Sequence, residues 1–253
     1  MSSASMSAAR PTIVVPLRPA SVCSKCEQRS ISVCNSIPDE DLHRLATVAT
    51  TSAIPAGHGI VEEGEKADHF YNITAGTARL FKSMPDGRRQ ITGFAGPGTF
   101  LGLAVSDNFG FGAEALEPMR VCRFSRVGLG RLMEDIAGIE HRLLQIASTE
   151  LVLAHEHMLL LGRKTARERL ASFLLARGAM SSSCAMAPAF SQHRVVALPM
   201  SRSDIADYLG LTIETVSRTL TRLKADRLIA LPDAHSVDLL DPARLKVIAD
   251  GDF

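Results

Sequence analysis

The chain has no surplus of either charge. Lys and Arg total 28 against 27 for Asp and Glu, a formal charge of +1, so no field of the whole molecule draws it to nucleic acid or membrane. Any such affinity must be local. It lacks an apolar run long enough to span a bilayer, and it lacks the charged, apolar and small-residue regions of a secretory leader. A cytoplasmic protein with no membrane partner is expected. The elements on which many enzymes rest are also missing: there is no phosphate loop, no G-x-S-x-G turn and no pair of carboxylates at helical or strand spacing. The chain does not read as an enzyme, and it contains no internal repeat.

What is present points to two cores and a cluster of sulfur. At 253 residues with 46% hydrophobic content, the chain is long enough for two domains. Three of its five cysteines, Cys23, Cys26 and Cys34, lie in the run C-S-K-C-E-Q-R-S-I-S-V-C, and Cys122 follows far downstream. In a reducing compartment such spacing reads as metal ligands or redox thiols rather than disulfides. Three clustered thiolates and one distant partner can close a tetrahedral soft-metal or iron–sulfur site around a fold. From spacing alone a four-cysteine zinc site remains open beside the cluster, with a Cys23–Cys26 disulfide as a third reading. Cys184 stands in a Ser-, Ala- and Pro-rich connector and is a candidate redox thiol. His155 and His157 are two residues apart on a predicted helix, so they point to different faces and are read as solvated rather than as metal ligands.

The texture of the chain divides it into four parts and an α+β class. Residues 1–37 are an N-terminal tail and the cysteine segment, and the first twenty residues show no helical or strand period. The stretch from Ser36 through Pro38 and the acidic Asp39-Glu40-Asp41 has the pattern of a helix start. Residues 38–125 form an antiparallel β-barrel of jelly-roll type, judged from short apolar segments such as 77–82 and 120–124 punctuated by glycine, with Pro85-Asp86-Gly87 as a hairpin turn. Residues 126–162 hold a long helix, predicted over 136–161. There Leu144, Ala147, Leu151, Ala154, Met158 and Leu161 alternate steps of three and four, the spacing of a coiled-coil seam. Such a stripe can pair two copies across a twofold axis or pack on the chain's own barrel, and self-pairing is the expectation.

Residues 163–253 carry a helix over 165–180, a short strand over 194–198 and a helix-turn-helix with a β-wing. The first helix is Ser201 to Leu209, closed by Gly210-Leu211; Thr212 then caps a second, Ile213 to Ala225. In this motif the second helix enters the major groove. Val216, Leu220 and Leu223 form its inward stripe, and Glu214, Thr215, Ser217, Arg218, Thr221 and Arg222 face out. Arg218 can donate two hydrogen bonds to guanine, Glu214 can accept from cytosine, and Arg222 suits phosphate. Double-stranded DNA is therefore the expected partner.

With these residues assembled, the chain from about residue 20 onward resembles the Crp/Fnr family of bacterial transcription regulators. The run 198–206 through Glu214-Thr215-Val216-Ser217-Arg218, the barrel stretch 90–94 and the segments 159–166 and 168–171 are similar to its Fnr and FixK branch. The resemblance implies a homodimer in which Glu214, Ser217 and Arg218 read TTGAT-type half-sites, with RNA polymerase touching the 84–89 hairpin. It implies that Cys23, Cys26, Cys34 and Cys122 hold an oxygen-labile [4Fe-4S] cluster, their C-x2-C-x7-C spacing resembling FnrN- and FnrL-type members. The region 98–103 and 111–114 lacks the Gly-Glu and Arg-Ser set that binds cyclic AMP elsewhere in the family, so a cyclic nucleotide is not expected. The alternative within the family is a FixK-like regulator with zinc or no metal, governed by abundance or by oxidation of Cys184.

Overall fold

A computed structural model describes residues 13–16, 21–103, 107–184 and 194–251. Strand β1 (Ile13–Pro16) departs from the reading of residues 1–20 as lacking strand structure, because Ile13, Val14 and Val15 lie in antiparallel register with Ala53, Ser52 and Thr51. Its partner is distant in sequence, so no local period could announce it; the rest of that tail lies outside the described residues. Helix α1 (Ser21–Ser24) and 3-10 turns over Arg29–Ile31, Val33–Ser36 and Asp39–Asp41 lead to α2 (Leu42–Val48). The helix predicted from Ser36 begins later. Ser36 Oγ donates to the Val33 carbonyl at 2.8 Å instead of capping, so the acidic turn stays 3-10 and α2 starts where Leu42 and Leu45 can be buried.

Two antiparallel sheets form the barrel. Its strands are β2 (Ala49–Ile54), β3 (Gly59–Val61), β4 (His69–Ala75), β5 (Ala78–Ser83), β6 (Arg89–Ala95), β7 (Phe100–Leu101), β8 (Gly112–Ala115) and β9 (Met119–Ser125). They order as β1-β2-β9-β4-β7 and β3-β8-β5-β6. Alternation along the first sheet splits its side chains between two cores. Ile54, Ile73, Met119 and Val121 face the barrel interior, whereas Ala49, Phe70, Phe100 and Phe124 face a separate core shared with Val33, Ile37 and Leu42. The predicted turn joins β5 to β6, with Gly87 at φ +86 and its N–H donating to the Met84 carbonyl at 2.9 Å.

Helix α3 (Arg126–Asp135) is capped by Ser125, whose side chain accepts from the Gly128 N–H. It leads to α4 (Ala137–Arg163), 27 residues and so about 40 Å long. In α4 the buried residues are Ile139 and Leu160, one near each end. The C-terminal body comprises α5 (Ala166–Cys184), β10 (Arg194–Ala197), α6 (Arg202–Leu209), α7 (Ile213–Ala225), β11 (Ile229–Ala230), β12 (Ser236–Leu239) and α8 (Pro242–Asp250), with its strands ordered β10-β12-β11. Leu170, Leu174, Val196, Ile205, Leu209, Val216, Leu220 and Leu223 make its core. Helix α5 runs beyond the predicted end at residue 180 as far as Cys184; the Cys184 side chain lies outside the described residues. Among the described residues no helix is long and apolar enough to cross a membrane.

Candidate metal centre and nucleic-acid interface

Cys122 stands on β9 directly opposite Thr51 of β2 on one side and Asn72 of β4 on the other. It faces away from the barrel interior, toward the core that contains Phe124, Val33 and Ile37, and Cys23 and Cys34 pack against the same core. Cys26 follows one turn after Cys23, its N–H donating to the Cys23 carbonyl at 3.3 Å. All four thiols are free and partly buried. Burial pushes Cys34 up to about 11 and Cys122 up to about 12, and it raises Cys23 as well. Smaller upward contributions come from the thiols themselves: Cys26 acts on Cys23, Cys23 and Cys26 act on Cys34, and all three act on Cys122. The fold thus brings three thiols of the N-terminal segment and one from the barrel within electrostatic reach of one another.

The surroundings suit a negatively charged sulfur centre. The Arg29 guanidinium, held by Asp39 at 2.5 Å and by the Ile37 carbonyl at 2.9 Å, offsets a small part of the rise at Cys23 and Cys34. The hydroxyls of Ser32, which accepts from the Cys34 N–H at 3.3 Å, and of Thr51, opposite Cys122, act to lower Cys34 and Cys122. Two buried polar atoms nearby, Arg29 Nε and Asn72 Oδ1, have no hydrogen-bond partner among the described residues. Among the described residues no three His, Cys, Asp or Glu side chains sit close enough to share a single ion. Four sulfurs around one zinc would lie about 3.8 Å apart, given Zn–S bonds near 2.3 Å. An iron–sulfur cluster spreads its thiolates more widely, and cysteine is the ligand type it takes. Arg29, Thr51 and Asn72 carried no signal in the sequence, since only the cross-strand register and the turn geometry bring them to the cysteines.

The cysteine segment rests against the start of α4. Arg142 Nη2 donates to the Ile31 carbonyl at 3.3 Å, and Gly138 lets the helix approach so closely that an added Cβ would lie 3.0 Å from the Ser36 carbonyl. Further along α4, Leu144, Leu151 and Met158 are 65%, 58% and 59% exposed, and Ala147 and Ala154 are exposed between them. Val152 and Leu159 widen this apolar face on one side. Leu161 differs from the other members of the stripe: it is partly buried on the C-terminal core, with Cδ2 3.2 Å from where a Cβ on Gly210 would sit. His157 also departs from its reading as solvated. Its ring stacks on Tyr208 of α6 at 4.3 Å and 20°, whereas His155 is exposed.

The two C-terminal helices are built as a reading unit. Ser201 and Asp204 form a reciprocal capping box at the start of α6, and Gly210 ends it at φ +59, a left-handed conformation that glycine adopts freely. Thr212 caps α7 by accepting from the Thr215 N–H at 3.2 Å. Thr215 is partly buried, its hydroxyl 3.0 Å from that of Thr212. Glu214, Ser217, Arg218, Thr221 and Arg222 are exposed on the opposite side from buried Val216, Leu220 and Leu223. Hydrogen bonds from its own N–H and from Thr212 hold the Glu214 carboxyl below the usual range, so it is an acceptor at neutral pH. Arg218 and Arg222 have no ion-pair partner among the described residues, which leaves their donors available.

Comparison with known proteins places this geometry. Residues 52–135 match the cyclic nucleotide-binding domain and residues 168–248 the Crp-like helix-turn-helix domain. The nitrogen fixation regulation protein FixK of Bradyrhizobium diazoefficiens is 40% identical over 240 residues, 95% of this chain and 99% of that protein. The transcriptional activator protein FnrL of Cereibacter sphaeroides is 36% identical over 223 residues, 88% of this chain and 90% of that one. The structure of FixK2 from Bradyrhizobium japonicum matches with a TM-score of 0.72 and 37% identity, covering 79% of this chain and 97% of that chain. These relatives are regulators of transcription rather than enzymes. On that extent of identity, joined to a capped helix-turn-helix with an open recognition face, the chain belongs to the Crp/Fnr family of DNA-binding transcription regulators, within its Fnr/FixK branch.

Proposed function

We propose that the protein is a homodimeric oxygen sensor that holds a [4Fe-4S] cluster on Cys23, Cys26, Cys34 and Cys122 and binds TTGAT-type palindromes. The observation that carries this reading is the gathering of partly buried thiols from two separate parts of the chain around one core, Cys23, Cys34 and Cys122 packing on it and Cys26 one turn from Cys23. When bound, the cluster supplies a redox centre that dioxygen can oxidise. The chain's own residues do the rest. Cys23, Cys26 and Cys34 give up thiol protons and tie their segment to β9 through Cys122. That segment braces the first turns of α4 through Arg142 and the close approach at Gly138. A braced α4 offers Leu144, Ala147, Leu151, Ala154 and Met158 to a second copy, with Leu161 at the C-terminal end of the stripe packed on the DNA-binding body. Once the three cysteines let go, the brace is lost and pairing weakens. Because each half-site contributes modestly, most specific affinity goes with it.

On the DNA, Arg218 donates to guanine O6 and N7, Glu214 accepts from the cytosine amino group, Ser217 and Thr215 meet neighbouring base edges, and Arg222 takes a phosphate. The exposed hairpin 84–89, stiffened by the Arg88–Asp86 pair at 2.8 Å, is the surface we assign to RNA polymerase. A cyclic nucleotide has no place in this reading. A concavity of about 550 Å³ on the barrel is lined by Glu62, Glu63 and Glu114 beside Phe81, and Lys82 and Arg79 pair with Glu63 and Glu114 rather than standing open to a phosphate.

The test is anaerobic purification with iron, sulfide and zinc counted per protomer, followed by gel-shift titration of a TTGAT palindrome before and after air. Iron and sulfide with absorbance that bleaches in air, together with a matching loss of binding, support the reading. Colourless protein with stoichiometric zinc or no metal, binding equally in air, replaces it with control by abundance or by Cys184.

A further inference from the structure

We propose that Asn72 donates a hydrogen bond to the sulfur of Cys122 in the loaded protein and that this bond slows loss of the cluster. The inference rests on the reading of the four cysteines as cluster ligands. Asn72 and Cys122 are direct cross-strand partners on β4 and β9, so their side chains stand on the same face with Cβ atoms about 5 Å apart. On the other flank Thr51 is the cross-strand partner of Cys122 on β2, and its hydroxyl favours a charged Cys122 sulfur. Asn72 is 2% exposed and its Oδ1 is sealed from solvent without a partner among the described residues. Its further neighbours on that face are aromatic: Phe100 lies opposite it on β7, stacked on Phe70 at 5.3 Å and 6.4 Å from Phe124.

An amide stranded among aromatic rings is destabilising, since an unpaired buried polar group forfeits its hydration with nothing in return. Leucine, with the same branched skeleton, would occupy the place without that loss, so the polarity at residue 72 calls for a partner that is absent among the described residues. A Cys122 thiolate bound to a cluster is such a partner. A sulfur that ligates a cluster carries no proton and is an acceptor only. A half-turn of the Asn72 amide exchanges oxygen for NH2 at the same point in space, so the position of the unpaired oxygen can offer a donor to a sulfur on the same face. Hydrogen bonds to ligating sulfur are one of the means by which a protein sets the reactivity of a cluster.

The test uses the full-length protein and the variants Asn72→Leu and Asn72→Thr, each reconstituted anaerobically with iron and sulfide. Asn72→Leu is expected to melt no lower than wild type when metal-free and to take up the same iron and sulfide. It should bleach about fivefold faster in air, the factor for one modest hydrogen bond, with a shifted Fe–S(Cys) stretch in resonance Raman spectra. Asn72→Thr, which keeps a donor on the same face, should restore slow bleaching. If Asn72→Leu bleaches at the wild-type rate with an unshifted stretch, the inference is overturned while the cluster stands. Failure of Asn72→Leu to fold or a fall in its metal-free stability also overturns it, by revealing a partner that the amide already had. Wild type that takes up neither iron nor sulfide defeats the cluster reading itself, and the inference with it.

Discussion

Arg79 on barrel strand β5 and Asp204 on helix α6 are 125 residues apart in the chain and meet at 2.6 Å. The same guanidinium holds Glu114 of β8 at 2.7 Å, and the same carboxylate accepts from the Ser201 N–H at 2.9 Å and hydroxyl at 2.6 Å. One side chain therefore caps the first helix of the DNA-binding unit and fastens it to the sensor barrel. Burial works against the Asp204 charge, but the Ser201 hydrogen bonds and Arg79 outweigh it and keep the carboxyl below its ordinary value. Beside this pair, β6 docks its edge on α6: the Ile91 N–H donates to Asp207 Oδ2 at 3.2 Å, and Gln90 donates to the Asp207 carbonyl. Phe94 of β6 packs on Tyr208 at 5.3 Å. The pose of the recognition helix relative to the barrel is thus set by a mixed polar and aromatic seam.

Removing Arg79 leaves two carboxylates facing each other in a half-buried space. Arg79→Ala is expected to destabilise the protein by about 2–3 kcal/mol, near the lower end for breaking a buried ion pair because the groups retain some solvent. Urea denaturation of Arg79→Ala, Asp204→Ala and the double variant isolates the pair from the capping contribution of Asp204, which is common to both arms of the cycle. A coupling energy of about 1–2 kcal/mol is expected, and a value near zero would mean that the seam does not form in solution.

Arg218 and Arg222 should separate in what they do. Arg218→Ala is expected to lose about 1–3 kcal/mol per half-site on the preferred operator and to lose discrimination at one base pair. Arg222→Ala is expected to weaken all sequences alike and to lower the salt slope by about one ion per protomer. Titrations at several salt concentrations, on the operator and on a scrambled duplex, read both quantities. Equal effects of the two variants on the salt slope would remove the distinction.

Patterns local to the chain were legible. Helix α7 matches its predicted limits, Ile213 to Ala225, because a threonine cap, an inward stripe at 216, 220 and 223 and a preceding left-handed glycine all lie within a few residues. The four cysteines could be listed from sequence, and their common face could not. It depends on which side of β9 Cys122 occupies, a matter of register with β2 and β4. Strand β1 and the late start of α2 were missed for the same kind of reason, since a distant partner and a diverted serine hydroxyl decided them. His157 was misread because a helical wheel shows the direction in which an imidazole points but not the Tyr208 ring waiting there. Nothing in the sequence links Arg79 to Asp204, 125 residues on; the fold joins them.

Burial against Tyr208 also makes His157 sensitive to pH. Desolvation lowers its pKa below the usual histidine value of about 6.5. The unfolded chain then takes up a proton that the folded one resists, so this contribution to stability is complete above about pH 6.5 and is lost as pH falls through the folded value. His69 is shifted in the same direction by burial and by Arg123, so the wild type alone does not isolate the effect. Melting temperatures of wild type and His157→Gln, followed from pH 8 to pH 5, should converge on a common His69 slope only after the wild type has fallen further. Parallel curves would show that the imidazole is not held neutral by its stack.

The exposed face of α4 provides its own internal control. At 100° per residue, Leu144, Leu151 and Met158 fall within about 40° of one another, whereas Leu153 lies roughly 160° away on the far side. Leu151 is 58% exposed and Leu153 56%, so solvent contact in the single chain does not distinguish them. If two copies pair along the stripe, Leu151→Glu buries two carboxylates per dimer against apolar neighbours, at about 2 kcal/mol each, and the dimer should weaken by about three orders of magnitude. Leu153→Glu should leave it unchanged. Sedimentation velocity over a dilution series measures both, and gel shifts on the palindrome should follow the dimer population, because a lone protomer grips one half-site. Equal weakening by the two glutamates would mean that pairing uses a different face of α4, and no weakening by either would remove α4 from the dimer contact.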